Sequence, residues 1–315
     1  MTNPIIELKR LTKTYGDFKA VNELDLTVNK GEIFGLLGPN GAGKTTTILM
    51  MMGLTEPSSG TAHVCGFNAT KDPLSVKRLV GYMPDSVGFY DTMTALENLM
   101  YVGELNGIPR SEVEGRALAT LDLVGLSGDA IHKKTGAYSR GMKQRLGLAE
   151  VLIKDPKVII LDEPTLGIDP SGVKEFLTLI LRLSREKGLT VLLSSHHLHQ
   201  VQQVCDRVGI FVKGELLAEG TIDTLSNRIF AEKSYKVHVS LANVIDLPWK
   251  DEAALLQLEA VQSVRVQDQL IGITSSKDLT PDIVRFFVHK GYEVSGVQKK
   301  EYGLEEIYER YFEKN

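Results

Sequence analysis

Residues Glu32 to Leu54 read EIFGLLGPNGAGKTTTILMMMGL, and this stretch constrains the fold more than any other. An apolar strand over Ile33–Leu37 enters Gly38-Pro39-Asn40-Gly41-Ala42-Gly43-Lys44-Thr45. That run satisfies G-x-x-x-x-G-K-[ST], and an apolar helical stretch follows it, which is the context the motif requires. Phosphate explains the residue types. Glycines let successive backbone N–H groups curl around an anion, and the helix N-terminus adds its partial positive charge. Gly38, Asn40, Gly41 and Gly43 then shape the cradle and Lys44 reaches the terminal phosphates. Thr45 holds a magnesium ion, and Thr46 bonds an inner phosphate. An accidental glycine-rich turn would not need a strand before it and a helix after it.

Two further strands point to the same edge. VIILD, Val158–Asp162, is a four-residue apolar run ending in an acid, the pattern of a parallel strand buried on both faces. Ligands of open α/β sheets gather at the carboxyl ends of strands, so Asp162 and Glu163 are expected beside the phosphate loop. A magnesium nucleotide needs one acid to orient the ion's shell, and hydrolysis needs another to position the attacking water. Asp162 suits the first task and Glu163 the second. TVLLSS, Thr190–Ser195, delivers His196 to the same edge, placed to sense the γ-phosphate and link it to the water.

Composition bounds the rest. With 315 residues, 43% hydrophobic and 24% charged, the chain can build one large core and a smaller one. No window approaches the roughly 18 consecutive apolar residues of a membrane span. MTNPIIELKR lacks the apolar run of a signal peptide, so a cytoplasmic location is expected. Cys65 and Cys205 fit no metal or redox spacing and read as reduced, partly buried thiols. A formal net charge of −4 argues against a general nucleic-acid binder. His196, His197 and His199 invite a zinc reading, but no acid or thiol at ligand spacing accompanies them, and His197 and His199 read as solvated or helix-capping. VNKGE imitates the guanine-reading N-K-x-D motif, yet Glu32 stands where aspartate is required, and the segment reads as a turn.

The order of these motifs resembles the nucleotide-binding subunit of ATP-binding-cassette (ABC) transporters over about residues 4 to 225. The most specific part is YSRGM, Tyr138–Met142, which stands where the family signature L-S-G-G-Q stands. Ser139 and Gly141 match it; Tyr138, Arg140 and Met142 depart from it. Ser139 can cap the following helix and Gly141 permits close backbone approach, so that helix N-terminus can bind a γ-phosphate. The resemblance implies that this phosphate belongs to a nucleotide held by another subunit. It implies further that Tyr15 stacks on adenine and that the loop of Asp169, in LGIDP, crosses to the opposite phosphate loop. Asp85 occupies the family's glutamine position; an aspartate can still approach magnesium, and its shorter, charged side chain bears either on metal affinity or on coupling between hydrolysis and the membrane partner. The region Val87–Glu97 corresponds to the part that faces the membrane subunit.

The fold so implied is α/β, a P-loop NTPase cassette with a RecA-like core and a helical subdomain over about residues 86–155. The implied function is that of the ATP-hydrolysing subunit of a membrane exporter, peripheral on the cytoplasmic face of the membrane. It would work with ATP and Mg2+, as a homodimer or with a related cassette, on transmembrane permease subunits. The alternative is a soluble cassette ATPase acting on nucleic acid or ribosomes. Against it, the 94 positions from Thr45 to Ser139 leave no room for a long coiled coil, and the chain has two cysteines and one phosphate loop. A P-loop kinase or GTPase explains neither YSRGM nor His196.

Helical periodicity over MTALENLMYVGELNG and EVEGRALATLDLVGL predicts packing through Leu96, Leu99, Met100 and Val102, then Ala117, Leu118, Leu121 and Val124. The ATP-binding domain is expected over residues 1–230 and an accessory domain over 231–315. In the latter, the pattern reads strand YKVHVSL, helix KDEAALLQLEAV, strands SVRVQDQ and LIGITS, helix LTPDIVRFFVHKG, strand YEVSGVQ and a last helix LEEIYERYFEK. Up to that last helix the order is βαββαβ, which suggests a small ferredoxin-like α+β domain. It shows no catalytic cluster, so regulation or dimer bracing is the expected role.

Overall fold

The computed structural model describes residues 4–229, 235–243, 249–300 and residue 308. The chain divides into two compact units, Met1–Ile222 and Asp223–Asn315. The first opens with β1 (Pro4–Tyr15), β2 (Phe18–Asn29), β3 (Ile33–Leu37), α1 (Lys44–Met51), β4 (Ser59–Val64), β5 (Phe67–Asn68), α2 (Pro73–Leu79) and β6 (Val80–Met83). A helical stretch follows, α3 (Ala95–Leu105), α4 (Arg110–Leu123), α5 (Asp129–His132) and α6 (Arg140–Leu152). The chain then returns through β7 (Val158–Asp162), α7 (Pro170–Lys187), β8 (Thr190–Ser195), α8 (Leu198–Gln202), β9 (Arg207–Val212) and β10 (Glu215–Gly220).

Two sheets build this unit. One is antiparallel, in the order β2-β1-β4-β5; the other has six strands in the order β10-β9-β3-β8-β7-β6. In the second, β9, β3, β8, β7 and β6 are mutually parallel, and β10 adds an antiparallel edge. Every residue of β3, β7 and β8 is buried, the mark of strands covered on both faces. Each fully buried branched side chain there contributes about 1.5–3 kcal/mol relative to exposure. Register then fixes function: Leu37 pairs with Ser195, and Asp162 pairs with Ser194. The phosphate loop, Glu163 and His196 therefore leave the sheet along one line.

Local signals set the helices that flank this line. Thr94 and Glu97 form a reciprocal capping box at the start of α3. Asp169 caps α7, Pro170 occupies its first turn, and Gly188 closes it in the left-handed region. In α3, Leu99 is fully buried as expected, while Leu96, Met100 and Val102 are only half-buried. Asn98 takes the inner position because its side chain bonds Tyr90 and Thr94 carbonyls at 3.2 and 2.9 Å, satisfying a polar group that periodicity discards. In α4, Ala117 and Leu121, with Val124 just beyond, are buried, whereas Leu118 is exposed and Val113 takes a core place.

The division falls after the first residue of α9 (Ile222–Ile229), so the second unit takes the rest of a helix that the end of the phosphate chemistry would assign to the first. It continues as β11 (Tyr235–Leu241), α10 (Glu252–Leu256), β12 (Val261–Gln267), β13 (Leu270–Ser275), α11 (Thr280–His289) and β14 (Val294–Lys300). The strands form an antiparallel sheet in the order β12-β13-β11-β14. Its core joins Val237, Val239, Ile271, Ile273, Ile283 and Phe287. Trp249 Nε1 donates to the Tyr292 hydroxyl at 2.8 Å, which donates to Asp251 at 2.6 Å, so the aromatic polar tips are satisfied. Helix α10 is shorter than the sequence pattern over Lys250–Val261. Ala260 lies at φ 80°, where a right-handed helix cannot continue, and Val261 pairs with Ser275 instead. The predicted last helix, Leu304–Lys314, lies outside the described residues except Tyr308. Cys65 and Cys205 are free thiols.

Candidate active site

At the end of β3 the loop closes on its own lysine. Gly43 sits at φ 106°, and a Cβ there would lie 2.2 Å from the Ala20 carbonyl, so only glycine allows this turn. Helix α1 starts directly after it, with no side-chain cap and no acidic residue in its first turn. Its leading N–H groups and dipole are thus directed at an incoming anion. Lys44 is buried, with Nζ donating to the Gly38 and Pro39 carbonyls at 2.7 and 3.2 Å. The same Nζ lies 3.3 Å from Glu163 Oε1. This is an ion pair at contact distance without an aligned hydrogen bond, and Oε1 has no hydrogen-bond partner.

Beneath the loop lie the oxygen donors. Thr45 Oγ1 donates to Asp162 Oδ2 at 2.7 Å, and the Ser194 hydroxyl donates to the other Asp162 oxygen. Asp162 is 2% exposed, so these bonds hold a carboxylate that water barely reaches. Tyr82, on β6, is pushed up to about 12 by burial, with the Asp162 and Asp85 charges adding to it. Strand β6 runs parallel to β7 with Met83 paired to Leu161, so Asp85, exposed just after β6, leaves the sheet on the same edge as Asp162. Hard oxygen donors in small number suit magnesium, which takes one or two carboxylates and completes its shell with phosphate oxygens and water. Thr45 and Asp162 offer two such donors already in contact with each other, while Asp85 stands at the end of the neighbouring strand. No group of three or more His, Cys, Asp or Glu side chains among the described residues is arranged to hold a metal without such help.

Glu163 has an unusual backbone. Its φ is 47°, a region that costs a non-glycine residue about 1–3 kcal/mol. Two bonds to Ser194 hold it there, from Glu163 N to the carbonyl at 3.2 Å and to Oγ at 3.1 Å. The turn aims the carboxylate between Lys44 and His196, whose Nδ1 lies 2.9 Å from Glu163 Oε2. One carboxylate is thereby positioned from both sides, while Oε1 keeps unfilled acceptor capacity for a water proton.

The other predicted residues lie apart from this cluster. Tyr15 is 51% exposed at the surface, with Lys13 Nζ over its ring 5.1 Å from the centroid. Ser139 is exposed and caps α6, its Oγ accepting from Met142 N at 3.3 Å. A Cβ on Gly141 would meet only Ile168 Cγ2, at 3.8 Å. Asp169 is exposed and accepts from Gly172 N at 3.1 Å. His197 and His199 are exposed, the solvated alternative of the two expected; His197 occupies the N-terminal cap position of α8 without a side-chain bond, and its ring packs 3.9 Å from that of His196. VNKGE is a turn, with Glu32 paired to Arg207 at 2.9 Å. Sequence reasoning missed Ser194; the two serines that end β8 after its apolar run Val191–Leu193 were its signal.

These features define a P-loop nucleotide site, with the N-terminus of α6 exposed at Ser139 and Arg140 while the helix body is buried. The ABC transporter family model matches residues 21–166. Over 96% of both chains, this one is 37% identical to the bacitracin transport ATP-binding protein BcrA of Bacillus licheniformis. It is 38% identical to the linearmycin resistance ATP-binding protein LnrL of Bacillus subtilis, over 76% of each. A dimeric ATP-binding cassette solved in a post-hydrolysis state with ADP and Pi superposes with a TM-score of 0.62 at 25% identity, covering 69% of this chain and 98% of that one. The chain belongs to the ATP-binding subunits of ABC transporters, and its reaction is hydrolysis of ATP with Mg2+.

Proposed function

We propose that this subunit is the motor of an exporter, with two ATP molecules enclosed between two cassettes and separate permease subunits forming the path. Relatives that carry bacitracin transport and linearmycin resistance in their names support the export reading. Among the described residues no helix is long and apolar enough to cross a membrane, in keeping with a path built by other chains. Peripheral attachment to the cytoplasmic face belongs to the same reading.

The observation that carries the mechanism is the pinning of Glu163 between Lys44 and His196. Lys44 exchanges its loop carbonyls for the terminal phosphates. Thr45 and Asp162, with Asp85, would hold magnesium, and the ion would supply neutralisation of phosphate charge. Thr46 bonds an inner phosphate, and Tyr15 stacks on adenine. Glu163 orients water and accepts its proton, while His196 keeps the carboxylate aimed and reads the γ-phosphate. Ser139 and Gly141 present α6 to the partner's γ-phosphate, and the loop of Asp169 crosses toward the partner's phosphate loop. The ATP-binding domain spans about residues 1–230, and residues 231–315 regulate it or brace the dimer.

Purification from membranes tests the assignment. Recovery of the chain with a polytopic partner is the expected result; recovery with ribosomes or nucleic acid instead overturns it.

A further inference from the structure

Arg140 stands at the first position of α6, where the helix dipole disfavours a cation and where the family signature has glycine. Its Nε donates to the Leu166 carbonyl at 2.9 Å, 26 positions along the chain. The next residue is shaped to receive it. Gly167 lies at φ 74°, and a Cβ there would lie 2.6 Å from Arg140 Nε and 3.0 Å from Cδ. The arginine stem therefore lies over a glycine that any side chain would push it from. Leu166 is itself tied to the catalytic carboxylate's backbone, because Leu166 N donates to the Glu163 carbonyl at 3.1 Å. One turn later Ile168 N donates to the Thr165 carbonyl at 3.2 Å, and Thr165 Oγ1 donates to Gln200 Oε1 at 2.6 Å, on the helix after His196. Arg140 has no carboxylate partner among the described residues, so this carbonyl is its anchor.

We infer that Arg140 is a positioning residue which fastens the signature turn to the loop following Glu163. A shift of Ser139 and Gly141 on meeting the partner's nucleotide is thereby passed through Leu166 to the backbone of Glu163. This rests on the reading that Ser139 and Gly141 face a partner's γ-phosphate. It adds a route by which closure at one site sets the water-orienting carboxylate of the other. The glycine of the family signature has no side chain to make such a tie. Here an arginine and Gly167 make it as a matched pair.

Steady-state ATPase assays and nucleotide-binding titrations on the full chain test the tie. Arg140→Gln should lower kcat by about ten- to a hundredfold, the cost of misplacing a reacting group by about 1 Å, with ATP affinity unchanged. Gly167→Ala should do the same, and the double variant should be no slower than either, because both break one contact. Arg140→Lys, which keeps the charge but lacks Nε–H, should not restore the rate. Parental kcat in Arg140→Gln, multiplying losses in the double variant, restoration by lysine, or a parallel loss of ATP binding would each overturn the inference. In a Glu163→Gln background, light scattering separates it from the composite-site reading. Arg140→Gln should still dimerise with ATP, whereas Ser139→Arg should not. Dimerisation of the Ser139→Arg chain sinks the partner-phosphate reading alone; loss of dimerisation in Arg140→Gln makes Arg140 an interface residue and sinks the tie. A parent that does not self-associate counts against self-pairing, and the ATPase results still decide Arg140.

Discussion

The segment from Tyr138 to Asp169 has two ends of opposite character. Around Asp162 and Glu163 the acids are answered within the chain: Lys44 and Ser194 reach them from buried positions, His196 from a half-buried one, and Thr45 from the exposed rim of the loop. Around Ser139 and Gly141 the surface is open, and a Cβ on Gly141 would find one neighbour at the edge of contact. The first end is built to work on a bound nucleotide in its own loop. The second is a capped helix N-terminus at the surface, which the proposed function reads as a half-site. Burial explains the difference, because buried charges must be paired within the fold, whereas an exposed helix end can wait for its anion.

The contrast breaks first if Glu163 is dispensable. Glu163→Gln keeps the shape and removes the base, so turnover should fall by about 10²- to 10⁴-fold with nucleotide binding retained. Near-parental turnover in a steady-state assay would remove Glu163 from its role. Lys44→Ala should instead act on binding, weakening ATP by about 10- to 100-fold through loss of a charge-assisted hydrogen bond. A fluorescent-nucleotide titration measures it, and unchanged affinity would mean that Lys44 only braces its own loop.

The open end has its own test. Ser139→Arg should leave monomer affinity for ATP within about twofold, since a surface change away from the loop acts on little else. In a Glu163→Gln background it should abolish ATP-driven dimerisation in light scattering. A drop in monomer affinity would place Ser139 at the chain's own nucleotide and erase the contrast. Asp85→Ala should raise the magnesium concentration for half-maximal activity severalfold, with Asp85→Asn between it and the parent; identical magnesium curves would make the position structural.

The smallest effect lies between the two ends, on α6. Glu150 is pushed up to about 7 by burial. Its folded value exceeds the ordinary carboxylate value, so the folded state holds the extra proton and stability declines as pH rises from about 4.5 through 7. Glu150→Gln removes that penalty and should raise the melting temperature by a few degrees at pH 8, with little change at pH 5. Equal shifts at both values would assign the gain to packing.

The P-loop end was almost fully legible. Lys44, Thr45, Asp162, Glu163 and His196 were each fixed by a motif or by the polar end of an apolar strand, and the parallel register then brought them together. The departures were legible only as departures. Arg140 and Asp85 could be seen to differ from a family pattern, but nothing in the string shows that Arg140 reaches Leu166 or that the strand before Asp85 pairs with the strand of Asp162. The C-terminal unit was readable in element order, because alternation along β11 and β13 is a local pattern. The early end of α10 was not, since sheet pairing at Val261 overrode helical periodicity.

The sequence by itself determined what depends on near neighbours: the strand, glycine loop and helix of the phosphate site, the caps of α3, α6 and α7, and the apolar runs that had to be buried. Tertiary structure alone decided the contacts that span long separations. Thr45 meets Asp162 across 117 positions, Ser194 holds Asp162 and Glu163 from 32 and 31 positions away, and the left-handed turn at Glu163 exists only because those bonds offset its strain. Local preference forbids that turn; the folded sheet imposes it, and the aim of the carboxylate follows.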